Sequence, residues 1–375
     1  MILIDASPLQ SEHRLRGVGA YVRELVRNLE RSVPEPDRPH YLATRTPAEP
    51  LLPLGRTHRI LRNHRPAQGY WLTNEVVLRA AMLRHRPSVF FATDFNGLVR
   101  NPFGCTAATL YDLTPLETGL GDPLSAARWK TYYRRVHHCD LLLAISEHTR
   151  RAAIQALGLD PAIVRTVPLG IDAERFVPSR GQGTSVGRPP YFLHIGGRNH
   201  NKNQGTLLEA FARVAREAPN VELLLGGPWR AADLAWLEAE KRRLGIAAIH
   251  HLGYVDEADL PSLYGNAIAF VFPSLAEGFG FPVLEAMACG TPVITSNCSS
   301  LPEVAGDAAL LVDPRNPPAL AAAMRTVIAG EDVPSLVRRG VARAREYTWA
   351  ETTRKTWNLL TELDAHASAR SRSKR

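Results

Sequence analysis

Two glutamates in the stretch AEGFGFPVLEAMACGTPVITS, residues 276–296, lie on either side of a glycine-rich bend. The apolar run before Glu277 predicts a strand, and Pro282 suits the first turn of a helix that carries Glu285. The glycines let main-chain N–H groups approach a ligand, and the start of a helix attracts phosphate. A carboxylate can accept hydrogen bonds from vicinal hydroxyls. The pattern therefore predicts a sugar at one glutamate and a ribose at the other, with a capped helix bearing a surface glutamate as the structural alternative.

A second stretch, GGRNHNKN at residues 196–203, follows the apolar run YFLHI and opens the next helical pattern. Arg198 and Lys202 are fixed cations suited to a diphosphate, whose negative charge grows as it leaves. Lys202 is one of only five lysines in a chain rich in arginine, which indicates that a compact point charge is favoured there. An ordinary basic helix start is the alternative, and the helix dipole disfavours it.

The string E-G-F-G-F-P-x-x-E-A-M-A-C-G-x-P-V resembles the paired-glutamate signature of the retaining, nucleotide-sugar-dependent GT-B glycosyltransferases of the family-four type, which include bacterial mannosyltransferases and sucrose synthases. The resemblance implies that Glu277 contacts the donor sugar and Glu285 the ribose, while Arg198 and Lys202 clamp the diphosphate. RGVGAYVREL, residues 16–25, resembles the family's first glycine loop, and HLGYV lies where its base pocket is built. The donor contacts expected on these grounds are Gly17, Gly19, Gly197, Tyr254, Gly278, Phe279, Gly280, Phe281, Val283, Leu284 and Glu285.

One position departs from the family pattern. Many members carry a histidine that contacts the donor sugar where TLYDLTPL here has Tyr111 and Asp112. Either side chain is a candidate to replace that histidine, and a structural turn is the alternative. Asp94 and Asn96, in ATDFNG, are candidates for the acceptor side, because the topology predicts them at the same cleft. The candidate catalytic set is Glu277, Arg198, Lys202, Asp112 and Tyr111.

Short apolar runs alternate with amphipathic segments in both halves of the chain, which predicts an α/β protein with parallel, doubly wound sheets. Strands are expected at ILI, SVFFA, TAATL and LLLAIS in the first half, followed by a helix that Ser146 caps and Gly158 ends. Strands are expected at YFLHI, VELLL, AFVF and PVIT in the second half. The resemblance implies the GT-B fold, in which two Rossmann-like domains face each other across a cleft.

The domain boundaries follow from composition and from the same resemblance. PSRGQGTSVGRPP has the composition of a linker, and YTWAETTRKTW resembles the family's C-terminal helix that crosses back to the N-domain. The polar, basic end of the chain is expected to be disordered. The prediction is an acceptor-binding domain at 1–176, a linker at 177–189, a nucleotide-sugar-binding domain at 190–347, the returning helix at 348–366 and the tail at 367–375.

The composition of the 375 residues, 45% hydrophobic and 22% charged, is typical of a globular protein with two domains. No stretch reaches the roughly 18 apolar residues of a membrane span and no signal-peptide pattern is visible, so a cytoplasmic protein is expected. The net charge of +8 comes with no recognition helix, zinc finger or RNA-binding motif, so nucleic acid is not expected as a partner. The four cysteines lack metal-ligand spacing and no Asp-x-Asp motif occurs, so no metal or other cofactor is expected.

The basic and aromatic stretch RWKTYYRRVHH, residues 128–138, has two interpretations. A solvated helix face with Trp129 and Tyr133 turned inward is favoured, and contact with an anionic acceptor or with the inner face of the membrane is the other. His137 and His138 beside Cys139 are interpreted as a helix end, because adjacent residues on a helix cannot all face one ion.

The function predicted is transfer of a hexose or deoxyhexose from a nucleoside diphosphate sugar to a hydroxyl of a glycan, lipid-linked saccharide or secondary metabolite. The resemblance implies retention of anomeric configuration and favours GDP-mannose ahead of UDP and dTDP sugars. The lack of an Asp-x-Asp motif predicts that the reaction needs no metal. Because the family's histidine is replaced at Tyr111, a non-catalytic nucleotide-sugar sensor or partner subunit is the alternative. A nucleotide-sugar epimerase of the same fold is disfavoured, since it lacks the paired glutamates.

Overall fold

The computed structural model of the chain describes residues 1–10, 17–44, 52–53, 56–60, 70–117, 133–178 and 189–373. The chain divides into two compact units, each built on its own parallel sheet. The first unit comprises Met1–Gly170 and Trp349–Arg375, and the second comprises Ile171–Thr348. The two α/β halves predicted from the alternation of apolar runs are therefore confirmed.

The first unit is built on a seven-stranded parallel sheet. Its strands are β1 (Ile2–Asp5), β2 (His40–Thr44), β3 (Thr57–Ile60), β4 (Val89–Ala92), β5 (Cys105–Leu110), β6 (Leu141–Ala144) and β7 (Val164–Thr166). They pair in the order β3-β2-β1-β4-β5-β6-β7, so the order reverses between β1 and β4. Helices α1 (Gly17–Ser32), α2 (Tyr70–His85), α3 (Thr114–Glu117) and α4 (Glu147–Leu157) lie between the strands in sequence.

The second unit repeats this organisation with a shorter sheet. Its strands are β8 (Tyr191–Ile195), β9 (Glu222–Gly226), β10 (Ile249–Gly253), β11 (Ala269–Phe272), β12 (Val293–Ser296) and β13 (Leu310–Val312). They pair in the order β10-β9-β8-β11-β12-β13, so the order reverses between β8 and β11. Its helices are α5 (Gln204–Ala215), α6 (Ala231–Leu244), α7 (Leu260–Gly265), α8 (Phe281–Ala288), α9 (Leu301–Ala305), α10 (Pro317–Ala329) and α11 (Val333–Arg345).

Local sequence signals explain where several of these elements begin and end. Ser146 precedes α4 and its side chain accepts a hydrogen bond from the Thr149 N–H, as an N-cap does. Gly158 ends that helix at φ 64°, a left-handed conformation that glycine adopts without a Cβ penalty. Strands β4, β6 and β11 are buried along their whole length, because both faces of a parallel sheet are covered.

The last helix, α12 (Trp349–Ser373), belongs to the first unit. The ring of Trp349 lies 6.3 Å from that of Tyr21 in α1, and the Thr352 hydroxyl donates a hydrogen bond to the Pro168 carbonyl at 2.8 Å. The helix continues through Ser373, so residues 367–373 are helical, in contrast to the disordered tail expected from their polar composition. None of the helices in the described ranges has the length and apolar character that a membrane crossing requires.

The unit boundaries differ from the predicted domain boundaries by a few residues. The first unit ends at Gly170 and not at residue 176, because Ile171 forms a β-bridge with Thr348 in the second unit. Within the predicted linker at 177–189, residues 179–188 lie outside the described part of the chain. The aromatic stretch at 128–138 is described only from Tyr133 onwards, so Trp129 also lies outside it.

Candidate active site

Two loops meet where the strand order of the second unit reverses, the usual ligand position in such sheets. The lysine loop, residues 196–203, follows β8, and the glutamate loop, residues 273–280, follows β11. The Leu275 N–H donates to the Asn201 carbonyl at 2.7 Å, and the Asn203 side-chain amide donates to the Pro273 carbonyl at 3.0 Å. These two hydrogen bonds fix the two loops against each other.

Lys202 and Glu277 form an ion pair at this junction. The Lys202 Nζ atom lies 2.7 Å from Glu277 Oε1, and the side chains are 19% and 16% exposed. The Lys202 ammonium also lies 4.5 Å from the centre of the Phe272 ring, within the range of a cation–π contact. A lysine and a carboxylate predicted to serve one donor are therefore brought together from positions 75 residues apart.

The main chain around Glu277 is held by two serines that the sequence analysis did not single out. The Ser299 hydroxyl accepts from the Glu277 N–H at 2.7 Å and donates to the Glu277 carbonyl at 2.6 Å. The buried Ser300 hydroxyl lies 2.9 Å from the Glu277 carbonyl oxygen and 2.7 Å from that of Phe279. The SS pair after β12 was a visible polar signal, but nothing in its spacing indicated which loop it would hold.

The glycine-rich bend and the start of α8 have the conformation that the sequence predicted. Gly280 has φ 122°, where a side chain is strained, and a Cβ atom there would lie 2.9 Å from Leu301 Cδ2, which would have to shift. Pro282 lies in the first turn of α8. The predicted contacts Val283 and Leu284 have fully buried side chains, which leaves only their main chain for a ligand.

Glu285 lies one turn into α8 and is partly buried. The Tyr264 hydroxyl donates to Glu285 Oε2 at 2.9 Å. Burial raises the pKa of Glu285 to about 7 despite that hydrogen bond, and burial keeps the pKa of the Tyr264 hydroxyl well above 10, so Tyr264 remains the donor. Tyr264 was not predicted as a site residue.

Arg198 extends from the lysine loop and is about one third exposed. Its Nη1 atom lies 3.2 Å from Asp233 Oδ1, and its guanidinium carbon lies 4.1 Å from the centre of the Trp236 ring. The neighbouring Gly197 carbonyl accepts a hydrogen bond from the Gln204 amide at 3.2 Å. Tyr254, predicted to contact the donor, follows β10 and is more than half exposed.

A buried histidine in β8, His194, contacts the lysine loop through Gln204. His194 Nδ1 lies 2.9 Å from the Val271 carbonyl oxygen, so Nδ1 carries the proton and Nε2 is the acceptor that faces the Gln204 amide. Burial lowers the pKa of His194 to about 4, so the ring stays neutral. Through Gln204, this neutral histidine positions the Gly197 carbonyl, a role that the sequence analysis did not predict.

In the first unit, the Tyr111 and Asp112 side chains both make contacts with the main chain. The Tyr111 hydroxyl donates to the Thr93 carbonyl at 2.6 Å, and burial raises its pKa well above 10. Asp112 Oδ1 accepts from the Thr114 N–H at 3.2 Å, as in a turn that opens a helix. The structural turn that the sequence analysis kept as the alternative is therefore present at Asp112.

The remaining predicted residues of the first unit also lie in regular local structure. Asp94 is buried and caps the 3-10 turn Phe95–Gly97, because its Oδ1 accepts from the Gly97 N–H at 2.7 Å. Asn96 lies within this turn, and its side chain is outside the described part of the structure. Gly17 and Gly19 were expected in a loop, but both lie in the first turn of α1. The expectation of a loop at these two glycines was wrong, because the helix whose apolar face is buried from Tyr21 onwards already begins at Gly17.

No group of three histidine, cysteine, aspartate or glutamate side chains that could hold a metal ion is found among the described residues. His137 and His138 close the 3-10 turn Arg134–His138, and Cys139 caps it, which confirms the interpretation of this sequence as a helix end.

Comparison with known proteins agrees with this geometry. The profile described as "Glycosyl transferases group 1" matches residues 178–346, and that described as "Glycosyltransferase Family 4" matches residues 15–175. An O-antigen chain mannosyltransferase B of Escherichia coli is 33% identical over 239 residues, which are 61% of this chain and 62% of that protein. The match thus covers less than two thirds of the length of that relative.

Solved structures share the fold at low sequence identity. Sucrose-phosphate synthase from Thermosynechococcus elongatus superimposes with a TM-score of 0.79 at 20% identity, covering 97% of this chain and 99% of that one. Anabaena HepE in complex with UDP and glucose superimposes with a TM-score of 0.74 at 19% identity, covering 96% and 99%. Between them, the two profiles span nearly the whole chain, and the chain belongs to the family-four type of GT-B glycosyltransferases.

Proposed function

We propose that the protein is a glycosyltransferase that takes a sugar from a nucleoside diphosphate donor. The observation that carries this proposal is the pairing of Lys202 with Glu277 at the point where the strand order reverses. Arg198 lies on the same loop as the lysine, and Glu285 lies one turn into the helix that follows the glutamate. Cations for a diphosphate and carboxylates for a sugar and a ribose are thus present within one unit.

In this proposal, Arg198 and Lys202 bind the donor diphosphate and stabilise it as it leaves. Breaking the bond between the sugar C1 and the phosphate oxygen leaves the electron pair on that oxygen, so negative charge grows next to the two cations. Fixed cations in a partly buried site stabilise that charge without rearranging. The site therefore needs no divalent ion for this step.

Glu277 is assigned to the donor sugar. In the structure, its carboxylate and the Lys202 ammonium neutralise each other. A bound diphosphate would share the ammonium with Glu277, and the carboxylate would then accept hydrogen bonds from sugar hydroxyls. Glu285 accepts from the ribose in the same way, provided it is deprotonated, which a pKa of about 7 makes dependent on pH near neutrality.

The transfer proposed retains the anomeric configuration, as the family resemblance implies. The acceptor oxygen forms its bond to C1 on the face from which the diphosphate departs, and the acceptor proton passes to the departing phosphate oxygen. Atoms and charge balance with no further reagent. No carboxylate of the chain is needed as a covalent nucleophile.

The donor and the acceptor are proposed by analogy with the relatives. A relative named as an O-antigen chain mannosyltransferase favours mannose as the sugar, and the family resemblance favours GDP as its carrier. A related fold solved with UDP and glucose favours a UDP sugar next, ahead of a dTDP sugar. The acceptor proposed is a hydroxyl of a glycan, a lipid-linked saccharide or a small metabolite. Contact with a membrane surface would accompany a lipid-linked acceptor.

The test is release of nucleoside diphosphate from a panel of GDP, UDP and dTDP sugars, with a chelator present throughout. We expect slow hydrolysis of one donor without acceptor, and NMR of the transferred sugar should show the anomeric configuration of the donor. Nucleotide binding without any release would instead support the non-catalytic sensor. A product of inverted configuration would contradict the retaining mechanism.

A further inference from the structure

Arg198 is held by two side chains of α6 to which the proposed chemistry gives no direct part. Asp233 and Trp236 are three residues apart, so they project from the same side of the helix. Asp233 Oδ1 accepts from the Arg198 Nη1 at 3.2 Å, and the guanidinium carbon lies 4.1 Å from the centre of the Trp236 ring. One edge of the guanidinium therefore meets a carboxylate, while one face meets an indole.

The carboxylate of Asp233 is a permanent anion. Its side chain is 5% exposed, and hydrogen bonds from Arg230 lower the pKa of Asp233 to about 2. Asp233 Oδ2 accepts from the main-chain N–H of Arg230 at 3.0 Å and from its Nε at 3.1 Å. The other carboxylate oxygen, Oδ1, accepts from Arg198 Nη1 at 3.2 Å and from Arg230 Nη2 at 3.4 Å, so the Asp233 carboxylate bridges the two guanidinium groups.

The indole of Trp236 lies beside a second tryptophan ring. The ring of Trp229 lies 6.4 Å from that of Trp236 and 4.7 Å from that of His251. Trp229 Nε1 donates to the Gly196 carbonyl at 3.0 Å, and His251 Nε2 lies 3.0 Å from the Gly227 carbonyl oxygen. The Trp229 ring beside Trp236 is therefore hydrogen-bonded to the main chain of the lysine loop that carries Arg198.

We propose that Asp233 and Trp236 are positioning residues that hold the Arg198 guanidinium ready for the donor diphosphate, an inference that rests on the proposed function. An unrestrained arginine would lose side-chain freedom when the donor binds, and this loss opposes binding. A guanidinium already fixed between a carboxylate and an indole avoids that loss. The arrangement also selects arginine over lysine, because an ammonium has no planar face for the indole and no second N–H edge.

A double-mutant cycle tests this inference through donor hydrolysis by the full chain. Trp236→Leu should lower kcat/KM by roughly 3- to 30-fold, the range expected for loss of a cation–π contact. Trp236→Phe should restore most of that loss, since an aromatic face returns. In the Arg198→Ala background, Trp236→Leu should have no further effect, because the indole acts only through the guanidinium. Leu234→Ala, an exposed change on the same helix, is the matched control and should leave the rate unchanged.

The outcomes separate this inference from the proposed function. If Trp236→Leu costs nothing, or costs as much with Arg198→Ala as without it, the positioning role is wrong while the proposed function stands. A wild-type protein that neither hydrolyses nor binds any of the donors would overturn the proposed function and this inference together. If Trp236→Leu does not fold, Asp233→Asn, which keeps the side-chain shape and removes the charge, takes its place in the same cycle. Asp233→Asn should then lower kcat/KM in the wild type and have no further effect in the Arg198→Ala background.

Discussion

Replacement of Glu285 by glutamine should make the protein more stable at alkaline pH and change how its stability depends on pH. The carboxyl is partly buried, accepts one hydrogen bond from Tyr264, and has its pKa raised by burial from 4.5 to about 7. Between these two values the folded state binds more protons than the unfolded state. The free energy of unfolding therefore falls as the pH rises through this window. Glutamine keeps an oxygen that accepts from Tyr264 and has no charge to bury.

The size of the effect follows from the same pKa values. Between about pH 5 and about pH 8.5, ionisation of the Glu285 carboxyl should lower the free energy of unfolding by at most about 2 to 3 kcal/mol. For a unit of this size, that corresponds to roughly 5 to 10 °C in melting temperature. The melting temperature of Glu285→Gln minus that of the wild type should therefore increase by up to this amount across the range.

The assay is thermal unfolding of the wild type and the variant at a series of pH values, without nucleotide. Glu331→Gln, which changes an exposed glutamate in the same unit, is the matched control and should show no comparable change. If the difference between Glu285→Gln and the wild type is the same at every pH, the carboxyl is not destabilised by burial. The account of this site as a desolvated acceptor for a ribose would then lose its electrostatic basis.

The other predictions concern Glu277 and Gly280 of the glutamate loop and Gly205 of α5. Glu277→Gln should lower donor hydrolysis by on the order of 100-fold, as expected when a group aimed at the reacting sugar loses its charge, whereas Glu331→Gln should not. Nucleoside diphosphate affinity, measured by calorimetry, should stay the same or rise, because the carboxylate no longer competes for the lysine; a parallel loss of affinity would contradict the assigned role. Gly280→Ala should destabilise by about 1–3 kcal/mol in denaturant unfolding, because φ is 122° and Leu301 is in contact. Gly205→Ala, in a helix with open space around it, should stabilise by about 0.5–1 kcal/mol, and a loss of stability there would show that the space is misjudged.

The elements that carry the site were predictable because their signals are local. β11 is an unbroken apolar run and β8 is interrupted only by His194, which is how a strand buried on both faces appears in a sequence. Ser146, Gly158 and Pro282 each act on the residues beside them, so their capping and turn roles did not depend on the rest of the fold. The predicted order of strands and helices around these signals is the order observed.

Five strands were not predicted, namely β2, β3, β7, β10 and β13, and β2 and β3 show why. β3 (THRI) alternates no apolar residues and is only partly buried, and β2 begins with a histidine. Their place in the sheet depends on pairing with β1 and with each other, which is a tertiary effect that a short window of sequence does not contain. The helical conformation of residues 367–373 is likewise not indicated by their composition, since α12 continues into them without a break and Arg370 Nη1 lies 3.8 Å from Asp140 Oδ1 of the same unit.

Contacts within the site were predictable only as a set of residue types. The sequence indicated that Lys202 and Glu277 serve one ligand. It did not indicate their direct 2.7 Å contact, which joins positions 75 residues apart. The ion pair between Asp233 and Arg198 depends on how α6 packs against the lysine loop. Tyr111 is a similar case. Its hydroxyl donates to the Thr93 carbonyl because neighbouring strands bring the two residues together, and the local sequence does not specify that placement.

The measurement that tests the central claim most directly is nucleotide-induced stabilisation of the wild type and of Lys202→Met, with Lys241→Met as the matched control. Lys241 also forms an ion pair in the second unit, with Glu238 on α6 and away from the paired loops. We predict that one nucleoside diphosphate stabilises the wild type and the control, by about 2.7 kcal/mol at a hundred times the dissociation constant, without added metal. Lys202→Met should lose most of that stabilisation. If no nucleotide stabilises the wild type, or if Lys202→Met responds as the control does, the paired loops of the second unit do not form a donor site.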